Sequence, residues 1–315
     1  MTASLRRYAT LLGFAAILVG FSVALPGTFP TARNLLNITQ QVSMLAVVAF
    51  AMTAVMAMGD FDLSVGAMAS LAGVVAASLF AAGWSIPAGI AAALAVGLAG
   101  GVVNGVLVAY LGILPFVATL GTLTIFSGSS FLVSGGRTIF GGAIPAGFGA
   151  FARGGVEIVG LRIPNLTLVA LAVLLVLWVL LEHTSYGRRL YAIGGNAEAA
   201  RLAGIRVRPL RASAFAITGL GAAMAGLMYA SRVASANPTQ GDGLMLDAIA
   251  AVFLGMTMSE ESEPRIFGTL VGVLILATLN NGLTQLAVDS YVRQILVGAI
   301  ILAAVASSRL GLSRG

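Results

Sequence analysis

The sequence predicts an all-α polytopic membrane protein of about ten transmembrane helices built around an inverted repeat, and three observations carry that prediction. Apolar residues fill 59% of the 315 positions and charged ones only 9%, with a mean hydropathy of +1.01, whereas a soluble domain is roughly 25% charged. Apolar stretches near the roughly 20 residues needed to cross a bilayer core recur along the whole chain. Four of them in the first half match four in the second at a constant offset of 177 residues.

Taken in order, the expected spans cover about 9–26, 40–58, 63–82, 86–110, 115–133, 164–182, 212–231, 244–258, 266–287 and 291–307. The first has the basic start and apolar core of a secretory signal peptide. A retained first helix is the preferred reading, because every span after it needs its orientation set. The offset lays Asn104-Gly105 on Asn281-Gly282, Gly121 on Gly298, and Gly66-Ala67-Met68 on Gly243-Leu244-Met245. It carries spans two to five (about 34–133) onto spans seven to ten (about 211–310). The copies start an odd number of spans apart, so they cross in opposite directions, with a pathway expected at their interface near the midplane. The whole of 1–315 then forms a single transmembrane domain.

Charge sets the expected topology. All 17 basic residues are arginine. With both termini in the cytoplasm, eleven arginines lie inside and six outside, which satisfies the positive-inside rule. The basic balance therefore reads as a topology signal, with no nucleic-acid partner. A chain without lysine cannot hold a Walker A motif, which places Lys against the nucleotide phosphates, so any ATP used is hydrolysed by another polypeptide. The absence of cysteine excludes disulfides, thiolate metal sites and thiol catalysis. The 40 glycines, in spacings such as Gly97/Gly101/Gly105 and Gly268/Gly272, suit close helix packing in lipid, although chance accounts for any single pair equally well.

Two long connections stand out. The stretch 183–211 is polar and carries six arginines. Within it Asn196 is a good N-cap, Glu198 complements the positive end of a helix, and Gly204 suits the residue after the last turn. These features predict a short amphipathic cytoplasmic helix with Ala199, Leu202 and Ala203 on one face. On the opposite side, 134–163 is a Gly-rich loop with a short helix expected around AIPAGFGAFA. It is either a solvated linker or a docking platform offering Arg137, Arg153 and Arg162 to an acidic partner.

Among smaller motifs, Gly59-Asp60-Phe61-Asp62-Leu63-Ser64 joins spans two and three. Its carboxylates suit cation binding or proton relay if they lie at membrane depth. A turn capped by Asp62 or Ser64, with both acids reaching water, is the favoured reading. Polar residues inside spans, chiefly Gln41, Asn104, Thr119, Thr122, Asp247, Asn280 and Asn281, form a candidate path for a neutral polyhydroxylated solute. Singly, each serves equally well as an interhelical hydrogen bond. His183, the sole histidine, is expected to close span six as a C-terminal cap beside Glu182, and one histidine builds no metal site. No grouping of nucleophile, base and orienting residue argues for catalysis.

Five segments together carry a family resemblance: GDFDLSVGAMASLAGVVAA, YLGILPFVATLGTLTIFSG, YGRRLYAIGGNAEAARLAGIRV, DAIAAVFLG and FGTLVGVLILATLNNGL. In this order the chain resembles the permease subunit of bacterial ABC importers for monosaccharides, the group handling ribose, xylose, rhamnose and autoinducer-2. GGNAEAARLAGI is the most specific part. The resemblance implies a multi-pass protein of the bacterial inner membrane. Its partners would be a second permease copy, a cytoplasmic ABC ATPase that holds the ATP and Mg, and a periplasmic sugar-binding protein, with lipid around the bundle and no cofactor in this chain. It also implies that Asn196, Glu198, Ala199, Arg201, Leu202, Ala203 and Gly204 form the coupling helix seated on the ATPase. One departure is the acidic run 259–263 after span eight, where a Gly-rich basic turn is usual; it reads as a salt-bridging element or a solvated turn. The alternative from another class is an ion-coupled secondary transporter working through Asp60, Asp62 or Asp247. The scarcity of carboxylates inside the spans weighs against it, and a passive channel lacks any visible filter.

Overall fold

The computed structural model describes residues 3–158, 160–259 and 263–310. Glu260, Glu261 and Ser262 of the acidic run, and Arg314 of the charge count, lie outside the described residues. The first five helices are α1 (Ala3–Ala24), α2 (Ala32–Met56), α3 (Val65–Ala81), α4 (Ile86–Ala109) and α5 (Pro115–Ser134). The short α6 (Ala146–Arg153) precedes α7 (Asn165–Trp178), which runs on into a π turn over Val179–His183. Then come α8 (Ser185–Gly195), α9 (Ala197–Leu202), α10 (Val207–Val233), α11 (Leu244–Met256), α12 (Ile266–Gln285) and α13 (Ser290–Leu310). Among the described residues, six helices are long and apolar enough to cross a membrane: α2, α4, α5, α7 with its π turn, α10 and α12. Residues 10–24 of α1, together with α3 and α11, are shorter apolar helices. The architecture is that of an all-α membrane protein.

The long helix α2 starts well before the expected residue 40. Thr31 caps it by accepting the Asn34 N–H at 3.2 Å. Three of the polar residues that hid this start find partners: Asn34 bonds Phe29 O and Asn281, Thr39 meets Thr167, and Gln40 donates to Ala152 O. The connection 134–163 is folded rather than a bare loop. The expected helix is present as α6, with Phe148 O accepting the Ser231 hydroxyl at 2.6 Å. Short strands, absent from the sequence reading, flank it: β1 (Ile139–Phe140) and the antiparallel pair β2 (Gly155–Ile158) and β3 (Leu161–Pro164). Beyond α10, β4 (Ser235–Ala236) pairs with β1 and ties the connection to the bundle.

Helices α2 and α10 pack against each other at the centre. Helix α10 also lies against α3 and α4, while α2 lies against α11 and α12. Close approach depends on small residues, since lipid supplies no hydrophobic drive between helices. A methyl at Gly105 would sit 2.6 Å from Cα of Ala212, and one at Gly97 would sit 2.6 Å from the Gly219 carbonyl oxygen. Gly268 faces Gly255 and Gly272 faces Ala251, so both glycine spacings read from the sequence are helix contacts. Inside this packing Thr53 and Thr269 share a hydroxyl hydrogen bond of 2.9 Å.

The turn between α2 and α3 corrects one expectation. Asp60 and Asp62 do not reach water: they keep 5% and 1% exposure. Arg211, near the start of α10, holds Asp60 with Nε to Oδ2 at 2.5 Å and Nη2 to Oδ1 at 2.6 Å. Asp62 accepts from the Ser64 N–H and hydroxyl at 2.9 and 2.6 Å and from the Thr218 hydroxyl at 3.0 Å. Asn104 adds an amide hydrogen bond of 2.8 Å to Ser64 and itself accepts from Thr122 at 2.7 Å. Ser64 precedes α3 without a side-chain capping bond. The acids stay inside because two other helices, α10 and α4, bring them matched donors, a long-range fact that no local reading of GDFDLS contains.

Two outcomes test this packing. Gly105→Val is expected to lower stability by about 1–3 kcal/mol through overpacking, seen as a lower melting temperature of the purified protein. Gly121→Val, whose site is open, should leave it unchanged. Asp60→Asn and Arg211→Gln should each cost about 1–3 kcal/mol, below the ~3–5 of a fully buried pair because Arg211 keeps 31% side-chain exposure. The double variant should lose less than the sum of the two, as expected for partners in one interaction.

Candidate functional site

Two regions at opposite ends of α2 and α10 hold the candidate residues. At one end the chain between α7 and α10 leaves the bundle. Thr184 caps α8 by accepting the Tyr186 N–H at 3.2 Å, and Leu190 and Ile193 are buried in the core. Asn196 then caps α9 through Oδ1, which accepts the Ala199 N–H at 2.9 Å. Gly204 follows at φ +81°, a left-handed conformation that glycine adopts without strain. Asn196, Glu198, Ala199, Arg201, Leu202, Ala203 and Gly204 are all exposed, and only Ala200 of this helix turns inward. Glu198 and Arg201 pair across the surface at 2.6 Å. Leu202 is 79% exposed, an unpartnered aliphatic side chain on a short polar helix.

This segment is tied to both halves of the bundle. Gly194 comes so close to the turn after α2 that a methyl there would sit 3.2 Å from Cα of Met58. Tyr191 donates to Pro264 O at 2.8 Å and receives the Arg265 guanidinium over its ring at 4.8 Å. Burial pushes the Tyr191 phenol above its ordinary range, so it stays a donor. Arg265 also meets Glu263 at 2.8 Å, which places one acid of the run in a salt bridge. His183 ends the span beside Glu182 as expected, in its last turn, and its ring stands edge-on to Trp178 with centroids 4.3 Å apart. Its neighbour Glu182 accepts the Ile266 N–H at 3.0 Å, satisfying the start of α12.

At the other end is a cavity of about 180 Å³, lined by Gln41, Tyr229, Asp247 and Asn280 among apolar neighbours such as Met44 and Leu244. These four side chains come from the first half of α2, the last turns of α10, the first turn of α11 and the second half of α12. None of them hydrogen-bonds another described residue. That is unusual here. The other intramembrane candidates are engaged: Asn104 and Thr122 in the Asp62 cluster, Thr119 with Pro115 O at 2.7 Å, and Asn281 with Asn34 at 3.1 Å. The structure thus gathers Gln41, Asp247 and Asn280 of the sequence candidates, and leaves Asn104, Thr119, Thr122 and Asn281 outside the cavity. Tyr229 was missed, because one tyrosine in an apolar span reads as core; its phenol at the span's end was the available signal.

Two other cavities, of about 390 Å³ each, lie along α7 and α10 and share Val169 and Met224. Their walls are apolar, and the one polar side chain on them, Ser231, already donates to Phe148 O. They offer nothing to recognise a polar solute. The smaller cavity, with four unengaged polar groups, is the candidate site.

Known proteins were compared with this chain. Residues 34–305 match the family model described as branched-chain amino acid transport system / permease component. The ribose import permease protein RbsC of Bacillus subtilis (strain 168) is 41% identical over 305 residues, covering 97% of this chain and 93% of that protein. The D-allose transport system permease protein AlsC of Escherichia coli (strain K12) is 34% identical, covering 96% and 92%. The galactose/methyl galactoside import permease protein MglC of Salmonella typhimurium is 35% identical, covering 91% and 89%. No solved structure matches significantly. A bundle of apolar helices around a polar cavity, matched from the start of α2 into α13, is thus accounted for by one ancestry, and the chain belongs to the family of transport-system permease components.

Proposed function

We propose that this chain is the membrane-spanning permease subunit of an ATP-binding-cassette importer that moves a monosaccharide or similar small polyol into the cell. The observation that carries the cargo class is the cavity. An amino acid brings a carboxylate and an ammonium, and its carboxylate calls for a cationic partner; the cavity lining contains Asp247 and no basic side chain. Amide, phenol and carboxylate groups left without partners suit hydroxyls. The relatives named for ribose, allose and galactose agree with that chemistry. The volume, below the ~300–1,000 Å³ of drug-sized pockets, suits a small solute.

The rest of the assembly follows. Ten spans, α1 to α5, α7 and α10 to α13, place both termini and the α8–α9 segment in the cytoplasm by the positive-inside rule. Support for the inverted repeat comes from the helix ranges, since the 177-residue offset carries α2, α3, α4 and α5 to within a few residues of α10, α11, α12 and α13. Further support is that α10 packs on α3 and α4 as α2 packs on α11 and α12. The cavity then opens in the outer half, on the side of α6, where a periplasmic binding protein would deliver cargo. Asn104, Thr119, Thr122 and Asn281 belong to the walls that hold the path.

Helix α9 is the coupling helix, with the exposed Leu202 entering a groove of the ATPase, which holds the ATP and Mg. A second permease copy and lipid cover the apolar outer faces of α4 and α5, where Val102, Val106, Phe116 and Leu120 are exposed.

The test is Leu202→Glu in the reconstituted importer. The substitution disturbs nothing inside this chain, so melting should be unchanged while ATP-dependent sugar uptake falls below about a tenth and the ATPase no longer co-purifies. Such a loss is in the range of a hot-spot contact, about 2 kcal/mol or more. Wild-type uptake with the ATPase still bound would sink the coupling assignment. Uptake abolished by an ionophore while ATP is maintained would sink the ATP-driven reading.

A further inference from the structure

Asp247 is the one charged side chain lining the cavity, and nothing in the described chain is paired with it. The other carboxylates near the bundle are handled differently: Asp60 has its arginine, Asp62 three side-chain donors, and Glu182 a helix N–H. A lone carboxylate facing a cavity is an acceptor in need of donors, since leaving it unmatched is costly. It lies in the first turn of α11, where the helix N-terminus carries partial positive charge.

We infer that Asp247 is a specificity-determining residue of the path, accepting hydrogen bonds from a pair of cargo hydroxyls and excluding anionic relatives of the sugar such as uronates and sugar phosphates. The inference rests on the cavity being the import path. Two carboxylate oxygens match two hydroxyl donors on adjacent carbons, and Gln41, Tyr229 and Asn280 can each donate or accept at the remaining hydroxyls. An anion brought into the same space meets a like charge inside a medium that screens poorly, with no arginine in the lining to offset it. A cationic solute would be held rather than passed, whereas transport requires binding weak enough to release. Neutral polyols are the class that meets both conditions. The arrangement also filters cargo a second time, after any selection by a delivering protein, by charge rather than by shape.

The experiment uses the permease with its ATPase in nanodiscs, followed by saturation-transfer NMR with a neutral aldohexose and with the corresponding hexuronate, both pyranoses that differ only in a hydroxymethyl against a carboxylate at one carbon. Wild type should bind the aldose at least about tenfold more tightly than the uronate, the scale set by one unfavourable charge contact. Gln41→Ala and Asn280→Ala should weaken the aldose signal and so locate it in the cavity. Asp247→Asn keeps the shape and removes the charge. It should bring the two solutes within about twofold, with aldose binding weakened by about tenfold or less, the difference between a hydrogen bond to a charged group and one to a neutral group, and with an unchanged melting temperature. Continued exclusion of the uronate by Asp247→Asn overturns the inference, as does an aldose signal that appears only with added sodium, which would make Asp247 a cation ligand. An aldose signal untouched by Gln41→Ala and Asn280→Ala places binding elsewhere and removes the path reading itself, a failure distinct from the first.

Discussion

Two carboxylates withdrawn from water at the α2–α3 turn impose the central constraint on this bundle. Each must be matched inside the protein, and the matching groups come from separate helices: Arg211 and Thr218 from α10, and Asn104 from α4. The first turn of α10 is therefore locked to the end of α2 and to α4. Glycines 97, 101 and 105 continue the lock along α4 by letting its backbone touch that of α10. Polar matching at one end and small-residue packing along the length reinforce each other, because neither hydrogen bonds nor glycine contacts hold helices together strongly when alone in lipid.

The same two helices connect the two regions of interest. Helix α10 begins directly after α9 and reaches the cavity at Tyr229, about 27 Å from Arg211 at 1.5 Å per residue. Helix α2 ends at the turn touched by Gly194 and carries Gln41 at its other end. Tyr191 of α8 and Glu182 of the π turn before it bond Pro264 and Ile266 at the start of α12, the helix that supplies Asn280. A displacement of the exposed α9 thus has rigid elements leading to three of the four polar walls. The contrast between the ends is chemical: at the α8–α9 end buried polar groups such as Tyr191 and Glu182 are satisfied, whereas those at the cavity have no hydrogen-bond partner among the described residues.

Much of this was legible in advance for stated reasons. Helix existence followed from composition and length, and the caps of α9 followed from Asn196 and Gly204, because both are local effects. The site was legible only in part. Gln41, Asp247 and Asn280 belonged to a larger set of intramembrane polar residues, and nothing in the sequence separates a residue facing a cavity from one bonded to a neighbouring helix. Asn280 and Asn281 make the point: adjacent in sequence, one lines the cavity and the other pairs with Asn34.

By itself the sequence determined that the chain spans a membrane, that it hydrolyses no ATP through a Walker A lysine, where the polar helix of 197–202 begins and ends, and which family it belongs to. These depend on composition, on local backbone preferences and on ancestry. Tertiary structure alone decided that Asp60 and Asp62 are buried and paired, that Glu182 caps a distant helix while His183 stands edge-on to Trp178, and that Tyr229 joins three other groups around one cavity. Each of those turns on which helices meet and at what rotation. In an almost uniformly apolar chain the periodic contrast that would reveal a helix's inward face is missing, so only the packed bundle states it.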